Sequence, residues 1–388
     1  MAEKKIINLR KEKAVRIAKK VLRIIRIPLI VALAVAVLIF CAKMLGSVAV
    51  SNITDSINSI KLAVSSGDGY PYVLEDFNVR ELSSVDGRPL VIYKDSSLVL
   101  DSTADTMLSC QLPAADSKAV VKNGRVLIYS NSSSQYVIHG KTEKLAEGKA
   151  DGNIIAAALA KNGSFATSHS SEEAQSVLSV YNPRQKMIFR WNCSNERIAD
   201  IALSDNGNRV AVIAIGTEDA EFYTRLIIFD IDELEPTADI RYNGTLMLRV
   251  LFASSNRIIT AGDNKTVVHN RKGEVLDELV YSEDSIRAIV PDESGNLLVA
   301  YSEYGGAKTG LVRFSKSGKR TSEAVVDGTP DCFAMRKGKI VVSDDNILTV
   351  YNSKGEAKET MNAESPVLGI ELSSDAIYTL ENGVVCKY

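Results

Sequence analysis

Residues 198–241 read IADIALSDNGNRVAVIAIGTEDAEFYTRLIIFDIDELEPTADIR and contain four short runs that are rich in β-branched residues. The first two runs, IADIAL and RVAVIAI, are joined by the polar stretch SDNGN, whose glycine is Gly207. RLIIFD and TADIR follow after further polar residues. Runs of this length, bounded by Gly, Asn and Asp, are typical of antiparallel strands joined by tight turns. The stretch therefore predicts a unit of four strands.

The same order of strands and turns recurs along most of the chain. Comparable units occupy residues 154–191, 248–280, 286–318 and 332–356. The glycines of the first turn mark the repeat, with Asn256 standing in for one of them: Gly87, Gly124, Gly163, Gly207, Gly295 and Gly338. Their mean spacing is about 42 residues, which is typical of a four-stranded propeller blade. Asn-Gly and Asp-Gly favour such turns because both central residues need a positive φ.

Seven complete units and one partial unit can be counted from residue 69 onward. The partial unit, residues 367–388, supplies only three strands, and residues 71–75 could supply the fourth. Pairing the two ends would close a ring and remove the exposed edges of an open stack of sheets. The sequence therefore predicts an all-β β-propeller over residues 69–388 and favours eight blades. A ring of seven blades, with the first segment outside it, is the alternative.

A long apolar stretch precedes these repeats. Residues 27–50, IPLIVALAVAVLIFCAKMLGSVAV, include only one charged residue, Lys43. As a helix they would be about 36 Å long, which exceeds the roughly 30 Å hydrocarbon core of a bilayer. We therefore expect one N-terminal transmembrane α-helix that contacts the lipid bilayer, followed by a connector at residues 51–68.

The residues before this stretch predict its orientation. Residues 1–26 hold ten basic and two acidic residues, and basic residues beside a span remain on the cytoplasmic side. The expected location is the cell membrane, with a single span, a cytoplasmic N-terminal tail and an extracytoplasmic propeller. A cleaved signal peptide is the alternative. Its basic region would be unusually long, and Lys43 and Met44 would crowd the processing zone.

Charge is distributed unevenly between the tail and the rest of the chain. The whole chain has 46 basic and 48 acidic residues, a net charge of −2, whereas the residues beyond the tail have 36 and 46, a net charge of −10. An acidic domain repels phosphate, so nucleic acid is not an expected partner.

The repeats resemble the WD40-like and quinoprotein-like β-propeller superfamily over residues 69–388. The best match is SDNG at residues 204–207, followed by RVAV at residues 209–212. The WD and GH signatures of true WD40 repeats and the adjacent cysteine pair of quinoprotein dehydrogenases are absent. The resemblance therefore implies the fold and no particular activity. Basic tail, single span and propeller together resemble an uncharacterised group of bacterial membrane-anchored propellers that are domains of unknown function.

Residues with catalytic or metal-binding chemistry are sparse. His139, His169 and His269 fall in three distant units, and their spacing does not bring them together as metal ligands. GxSxG, Walker and GxGxxG motifs do not occur, so no cofactor and no metal are expected. The cysteines beyond the apolar stretch are scattered: Cys110, Cys193, Cys332 and Cys386. We expect buried thiols, although a long-range disulfide stays open in an oxidising compartment.

Three units have an enlarged connection between their second and third strands. These connections span residues 169–176, 216–224 and 303–309, and in a propeller they would open on the same face. Loops on a rigid ring are common binding sites, so we predict a partner-binding face there. Its candidate residues are Glu172, Glu173, Glu218, Asp219, Glu221, Phe222, Tyr223 and Tyr304. Alanine at Glu218, Phe222 and Tyr223 is expected to weaken partner binding without lowering the melting temperature. Longer, solvated hairpins with no partner are the alternative.

These features predict a non-catalytic protein-binding or scaffolding module of the cell envelope. The expected partner is an envelope or membrane protein. The alternative is an envelope enzyme, a glycan-active hydrolase or lyase, with its site in the channel at the centre of the ring. Asp200 and Asp331 are the candidate acids because they fall on or beside predicted innermost strands.

Overall fold

The computed structural model of the chain describes Asp55, Asn58 and residues 67–75, 78–282 and 285–388. The predicted tail, the predicted transmembrane helix and most of the predicted connector lie outside these residues. Within the part that is described, no helix has both the length and the apolar character needed to cross a bilayer.

The described residues form 32 strands in eight four-stranded antiparallel sheets. We call the sheets blades 1 to 8 and name the strands of each blade A to D, from the innermost to the outermost. The first strand of the chain, β1 (Tyr72–Val73), is strand D of blade 8. A short 3-10 helix at Tyr304–Gly306 lies between two strands of blade 6.

Blade 1 contains β2 (Val79–Val85), β3 (Arg88–Tyr93), β4 (Ser96–Leu100) and β5 (Thr106–Gln111), and blade 2 contains β6 (Lys118–Lys122), β7 (Arg125–Tyr129), β8 (Gln135–His139) and β9 (Lys144–Lys149). Blade 3 contains β10 (Ile154–Leu159), β11 (Phe165–His169), β12 (Ser176–Tyr181) and β13 (Met187–Cys193). Blade 4 contains β14 (Arg197–Leu203), β15 (Arg209–Glu218), β16 (Glu221–Asp230) and β17 (Ala238–Asn243).

Blade 5 contains β18 (Met247–Ser254), β19 (Arg257–Gly262), β20 (Lys265–Asn270) and β21 (Val275–Val280), and blade 6 contains β22 (Ile286–Pro291), β23 (Leu297–Glu303), β24 (Lys308–Phe314) and β25 (Arg320–Asp327). Blade 7 contains β26 (Cys332–Arg336), β27 (Lys339–Asp344), β28 (Ile347–Tyr351) and β29 (Ala357–Asn362). Blade 8 contains β30 (Val367–Leu372), β31 (Ile377–Glu381) and β32 (Val384–Lys387), with β1 as its fourth strand.

Blade 8 is built from both ends of the propeller. β1 pairs with β32, so that Tyr72 lies opposite Val385 and Val73 lies opposite Val384. The next amide, that of Leu74, donates a hydrogen bond to the Gly383 carbonyl at 3.0 Å. The prediction of eight blades closed by residues 71–75 is therefore confirmed, and the seven-blade alternative is excluded.

The turns between strands A and B confirm the predicted turn chemistry in several blades. Asp86 and Gly87 of blade 1 have φ values of 53° and 76°, and Asn123 and Gly124 of blade 2 have values of 50° and 71°. Both central residues of these two-residue turns therefore have positive φ. This backbone matches the right-handed twist of the flanking strands, and Asn, Asp and Gly adopt it at least cost.

The hydrophobic core lies between the blades. The buried apolar side chains of the described residues form eight clusters, one at each of the eight interfaces between neighbouring blades. At the interface of blades 3 and 4, the fully buried Phe229 of β16 contacts Phe189 and Trp191 of β13, with ring centroids 5.3 and 5.1 Å away. Each blade is therefore covered on both faces only when it has two neighbours.

Asp55, a residue of the predicted connector, contacts the ring. Asp55 is helical and almost fully buried, at 2% exposure, and it lies against the turn between β8 and β9. Its carboxylate accepts hydrogen bonds from the Lys141 amide at 2.9 Å and from the Thr142 amide and hydroxyl at 3.2 and 2.6 Å. These hydrogen bonds hold Asp55 against blade 2.

Two neighbouring residues at the closure allow a matched test of its contribution to stability. Leu74 is 2% exposed and packs among the residues of blades 8 and 1, whereas Val73 is 68% exposed. We expect Leu74→Ala to lower the free energy of unfolding by about 2–5 kcal/mol, because it leaves a cavity in the core. Val73→Ala should change it by less than about 0.5 kcal/mol. Urea unfolding of both variants checks this, and equal effects would show that the closure is not packed as described.

Candidate functional site

The uniform order of strands gives the ring two chemically distinct ends. The turns between strands B and C of every blade open at one end, which we call the B–C face. The turns between strands A and B, and between C and D, open at the opposite end, which we call the A–B face. The three connections that the sequence predicts as a binding site lie on the B–C face, in blades 3, 4 and 6.

The blade 3 connection forms a shallow pocket. Residues 170–175 join β11 to β12, and with Ser194 and Arg197 they enclose an open depression of about 420 Å³. Both predicted acids of this connection, Glu172 and Glu173, are exposed. The pocket therefore presents two carboxylates and one guanidinium to solvent.

The blade 4 connection is a hairpin and not the loop that residues 216–224 were predicted to form. β15 and β16 are each ten residues long, and they stay paired as far as Glu218 and Glu221. Only Asp219 and Ala220 form the turn, with φ values of 52° and 68°. Apart from this turn, residues 216–224 therefore continue the two strands. The hairpin extends past the ends of the strands in neighbouring blades, and Phe222 on it is 43% exposed.

Tyr223 differs from the other predicted residues of this hairpin because it is buried. Its side chain is 8% exposed, and its hydroxyl donates a hydrogen bond to Glu196 Oε1 at 3.0 Å. The Arg241 guanidinium lies over its ring at 3.8 Å and also pairs with Glu218 Oε2 at 2.6 Å. Tyr223 therefore supports the hairpin from below, and its replacement is now expected to lower the melting temperature, contrary to the sequence-based expectation.

Glu196 is the centre of the contacts beneath the hairpin. It is 5% exposed and accepts hydrogen bonds from Arg225 Nη1 at 2.6 Å and from Cys193 Sγ at 3.3 Å. Arg225 also pairs with Asp239 on β17 through Nε at 2.9 Å. Burial alone would raise the pKa of Glu196, but the hydrogen bonds from Arg225, Cys193 and Tyr223 outweigh it and leave the pKa below its usual value.

The blade 6 connection contains the 3-10 helix Tyr304–Gly306, in which Gly305 and Gly306 both have positive φ. The Tyr304 side chain lies outside the described part of the chain. The structure thus gathers Glu172, Glu173, Glu218, Asp219, Glu221 and Phe222 as exposed residues of one face. The hypothesis that this face binds a partner stays a prediction.

Removing one charge tests whether the Glu196 contacts hold the hairpin in place. In Glu196→Gln the side chain keeps its shape, but the Arg225 guanidinium loses its buried counter-charge. We expect the free energy of unfolding to fall by about 1–3 kcal/mol, since hydrogen bonds to charged groups contribute roughly that much. Chemical denaturation measures it. The matched control is Glu221→Gln on the same hairpin, where the side chain is exposed; a loss as large in the control would contradict the assignment.

A second candidate site is the channel at the centre of the ring. In six of the eight blades, a β-bulge near the start of strand A inserts one extra residue opposite strand B. The inserted residues are Arg80, Ile155, Ala199, Leu248, Arg287 and Leu368. All of them are exposed or half-buried, and they lie near the start of an innermost strand, close to the B–C face. Bulges are a recognised way to redirect a side chain at the rim of a ring.

The channel encloses a cavity of about 320 Å³ that strand A or the A–B turn of every blade helps to line. Its charged residues are Lys122, Asp200, Arg249, Asp292, Glu293, Arg336 and Glu371. Asp200, one of the two acids predicted from sequence, therefore does lie here. Asp331, the other, does not line the cavity; its side chain is exposed just before β26.

The remaining charged residues were missed by sequence reasoning. A signal was present in the repeat itself, because Lys122, Glu293 and Arg336 each stand two residues before a turn glycine. That position is the last residue of strand A or the turn that follows it. The signal is not sufficient alone, because Lys161 and Asp205 hold the same position in blades 3 and 4 and do not line the cavity.

The electrostatics of the channel carboxyls reflect their burial. Asp200 is 8% exposed, accepts a hydrogen bond from the Val250 amide at 2.8 Å and lies 3.6 Å from Arg249 Nη1. Burial raises the pKa of Asp200, and Arg249 offsets part of the rise. Burial raises the pKa of Glu371 to about 7, although the Ser84 hydroxyl donates to its Oε2 at 2.8 Å and acts in the opposite direction.

The raised pKa of Glu371 makes stability depend on pH. The folded chain holds a proton on Glu371 that the unfolded chain, with a pKa of about 4.5, releases. Its contribution is therefore complete below about pH 4.5 and is lost as the pH rises through 7. Glu371→Gln mimics the protonated form, so we expect nearly equal stability at pH 4 and a gain of at most about 3 kcal/mol over the native chain at pH 8.

Urea unfolding of the native chain, Glu371→Gln and the exposed control Glu359→Gln at both pH values measures this difference. The control should follow the native chain at each pH. If Glu371→Gln also follows it at both pH values, the pKa of Glu371 is not raised in the folded channel.

The histidines and cysteines fill structural positions. All three histidines are buried, and each has a ring nitrogen within 3.1 Å of a backbone carbonyl oxygen. Among the described residues, no three His, Cys, Asp or Glu side chains are grouped so that they could hold a metal ion. The four cysteines beyond residue 50 are free thiols, two of them buried, and burial raises the pKa of Cys332 and Cys386 to about 11.

Comparison with known proteins gives the same fold. The chain matches the family of unknown function DUF5711 over residues 75–382. Among solved structures, Sqt1 of Saccharomyces cerevisiae is similar with a TM-score of 0.54 and 10% identity, covering 84% of this chain and 99% of Sqt1. BamB from Moraxella catarrhalis has a TM-score of 0.52 and 10% identity, covering 82% of this chain and 98% of BamB. No curated protein sequence matches the chain.

At 10% identity, these structures show a shared architecture and carry no information about activity. The family match is independent of them and spans almost the whole ring. The chain therefore belongs to the DUF5711 family, and its fold is that of the WD40-like β-propellers.

Proposed function

We propose that the chain is a membrane-anchored extracytoplasmic propeller that acts as a non-catalytic binding module for a protein of the cell envelope. The observation that carries the proposal is the blade 4 hairpin, which holds Phe222 beyond the B–C face. The anchor and the location rest on the sequence alone, on the apolar residues 27–50 and the basic tail before them.

The hairpin is held in position before any partner arrives. Its two strands are paired to the last residue before the turn, and Tyr223, Arg225 and Arg241 hold its base through the Glu196 and Glu218 carboxylates. A surface that is already ordered loses little conformational entropy on binding. Exposed aromatic side chains on such a support are typical of the residues that contribute most to protein–protein affinity. Phe222 is therefore the expected anchor residue.

The charges around Phe222 indicate the kind of partner. Asp219 and Glu221 flank it on the hairpin, and Glu172 and Glu173 are exposed on the neighbouring blade. Glu218 is different because Arg241 neutralises it. Complementary charge favours encounter and register. The partner surface should therefore carry basic side chains around a small apolar pocket.

Membrane anchoring would increase the effectiveness of a modest interaction. A chain tethered at residues 27–50 meets other proteins of the same bilayer at a raised effective concentration. Such an arrangement suits a scaffold, for which many weak and reversible contacts are sufficient.

Site-specific photo-cross-linking in native membranes tests the proposal. With a photoreactive amino acid at position 222, we expect a discrete adduct with a defined envelope protein. The matched control is position 234, because Leu234 is 92% exposed but lies between β16 and β17, at the opposite end of the ring. Adducts of the same pattern from both positions, or none from position 222, would contradict the proposal.

A variant distinguishes binding energy from folding. Phe222→Ala with Glu221→Gln removes the exposed anchor and one charge while leaving Tyr223 and Glu196 intact. We expect partner recovery to fall at least tenfold, since loss of an aromatic anchor costs about 2 kcal/mol or more. The melting temperature should stay unchanged, and Leu234→Ala should retain full recovery. Residues 1–65 alone should recover no partner, because they lack the ring.

The second candidate is an envelope enzyme that acts in the channel, and the pKa of Glu371 is the observation that favours it. A carboxyl with a pKa near 7 is suited to general acid catalysis at neutral pH. Turnover of glycan fragments by the native chain, abolished in Glu371→Ala and retained in Glu359→Ala, would establish it. Absence of turnover leaves the binding module as the function.

A further inference from the structure

Lys122 projects into the channel cavity with its charge only weakly paired. It is the last residue of β6, and its side chain is 19% exposed. Its ion pair within the described residues is with Asp205 at 3.7 Å, beyond hydrogen-bond distance, and Asp205 is already paired with Lys161 at 2.6 Å. Burial lowers the pKa of Lys122. A half-buried ammonium without a close acceptor gains from any acceptor that enters the cavity.

Glu293 presents the complementary case. It lies in the A–B turn of blade 6, and its Oε1 is buried and accepts no hydrogen bond from the described residues. Its Oε2 is 3.9 Å from Arg336 Nη2, a contact too long for a hydrogen bond. Arg336 in turn donates to the Leu372 carbonyl at 3.2 Å, while its Nε is buried and has no acceptor in the same part of the chain. Within the described residues, Glu293 Oε1 thus lacks a hydrogen-bond donor and Arg336 Nε lacks an acceptor.

These groups face one another across the channel. Blades 2 and 6 stand opposite in a ring of eight, so Lys122 and Glu293 approach the same cavity from two sides. The other carboxylates of the cavity have closer partners. Asp292 accepts from the Asn296 amide at 2.9 Å, Asp200 from the Val250 amide at 2.8 Å and Glu371 from the Ser84 hydroxyl at 2.8 Å. The unmet polar atoms are therefore concentrated at the A–B end of the channel.

We propose that this cavity binds a small zwitterion of the amino-acid class. Its carboxylate would accept hydrogen bonds from Lys122 and Arg336, and its ammonium would donate to Glu293. Phe252, Met335 and Leu372 provide apolar walls for a compact aliphatic side chain. The volume of about 320 Å³ matches the lower end of the range for small-molecule sites. The Lys122 side chain is 19% exposed and that of Glu293 is 38% exposed, and a molecule with a single charge would leave one of these two half-buried ionic groups without a partner.

This site is separate from the B–C face and does not depend on the function proposed for that face. A ligand at the A–B end would bind to the ring whether or not Phe222 engages a protein. The two proposals can therefore fail independently.

Isothermal titration of the full chain in detergent provides the test. The ligands are L-alanine, L-leucine and 4-aminobutyrate, and the singly charged comparison compounds are n-butylamine and butyrate. We expect saturable 1:1 binding of at least one zwitterion and at least tenfold weaker binding of both comparison compounds. Lys122→Gln and Glu293→Gln should each raise Kd by roughly ten- to a hundredfold, as expected for loss of one charged hydrogen bond.

The matched control is Lys118→Gln on the same strand, because Lys118 is exposed and does not line the cavity. It should bind like the native chain. The melting temperature without ligand reports whether each variant folds, and added zwitterion should raise it in the native chain and in Lys118→Gln only. No saturable zwitterion binding, equal binding of n-butylamine or butyrate, or full binding by both cavity variants would overturn the proposal.

Discussion

A blade of this protein is a sheet with two apolar faces, and no single neighbour can cover both. The structure depends on this constraint, because it can be satisfied only when every blade has a neighbour on each side. The eight clusters of buried apolar residues, one at each interface, show that it is satisfied. The two-residue strand β1 is small, but it completes blade 8 and covers the edge of β32. Closure therefore supports the whole core.

The two candidate sites, the blade 4 hairpin and the channel, lie outside the packed interfaces between blades. The blade 4 hairpin rises beyond the interfaces, so it can lengthen without disturbing a neighbour. The strands that line the channel are already packed against the neighbouring blades. Charged side chains can therefore point into the channel if their partners are close. In both places the burial of a carboxyl group costs free energy: Glu196 is buried beneath the hairpin, and Glu371 is buried in the channel. Hydrogen bonds offset that cost in the first case, and protonation offsets it in the second.

The sequence predicted the repeat well, because turn glycines and β-branched runs are local signals. Asp86-Gly87 and Asn123-Gly124 favour the positive φ values of their turns whatever the rest of the chain does. The last blade had only three strands in the sequence, so residues 71–75 were needed to complete it. Burial of Tyr223 could not be foreseen, since it depends on Glu196 from the preceding connection and Arg241 from the next strand. Lys122 and Glu293 likewise reach the same cavity only because the ring closes, which brings together residues that are 171 positions apart in the sequence.

The repeated bulge in strand A has a consequence for how such a family can diversify. An inserted residue takes no part in the ladder, and none of the six belongs to an interface cluster, so the packing of the blades constrains its identity little. The six inserted positions hold arginine, isoleucine, alanine and leucine in this chain. Members of the family can therefore acquire different specificities by single mutations at the mouth of the channel, each without compensating change elsewhere. The ring can stay unchanged while the residues at these six positions vary.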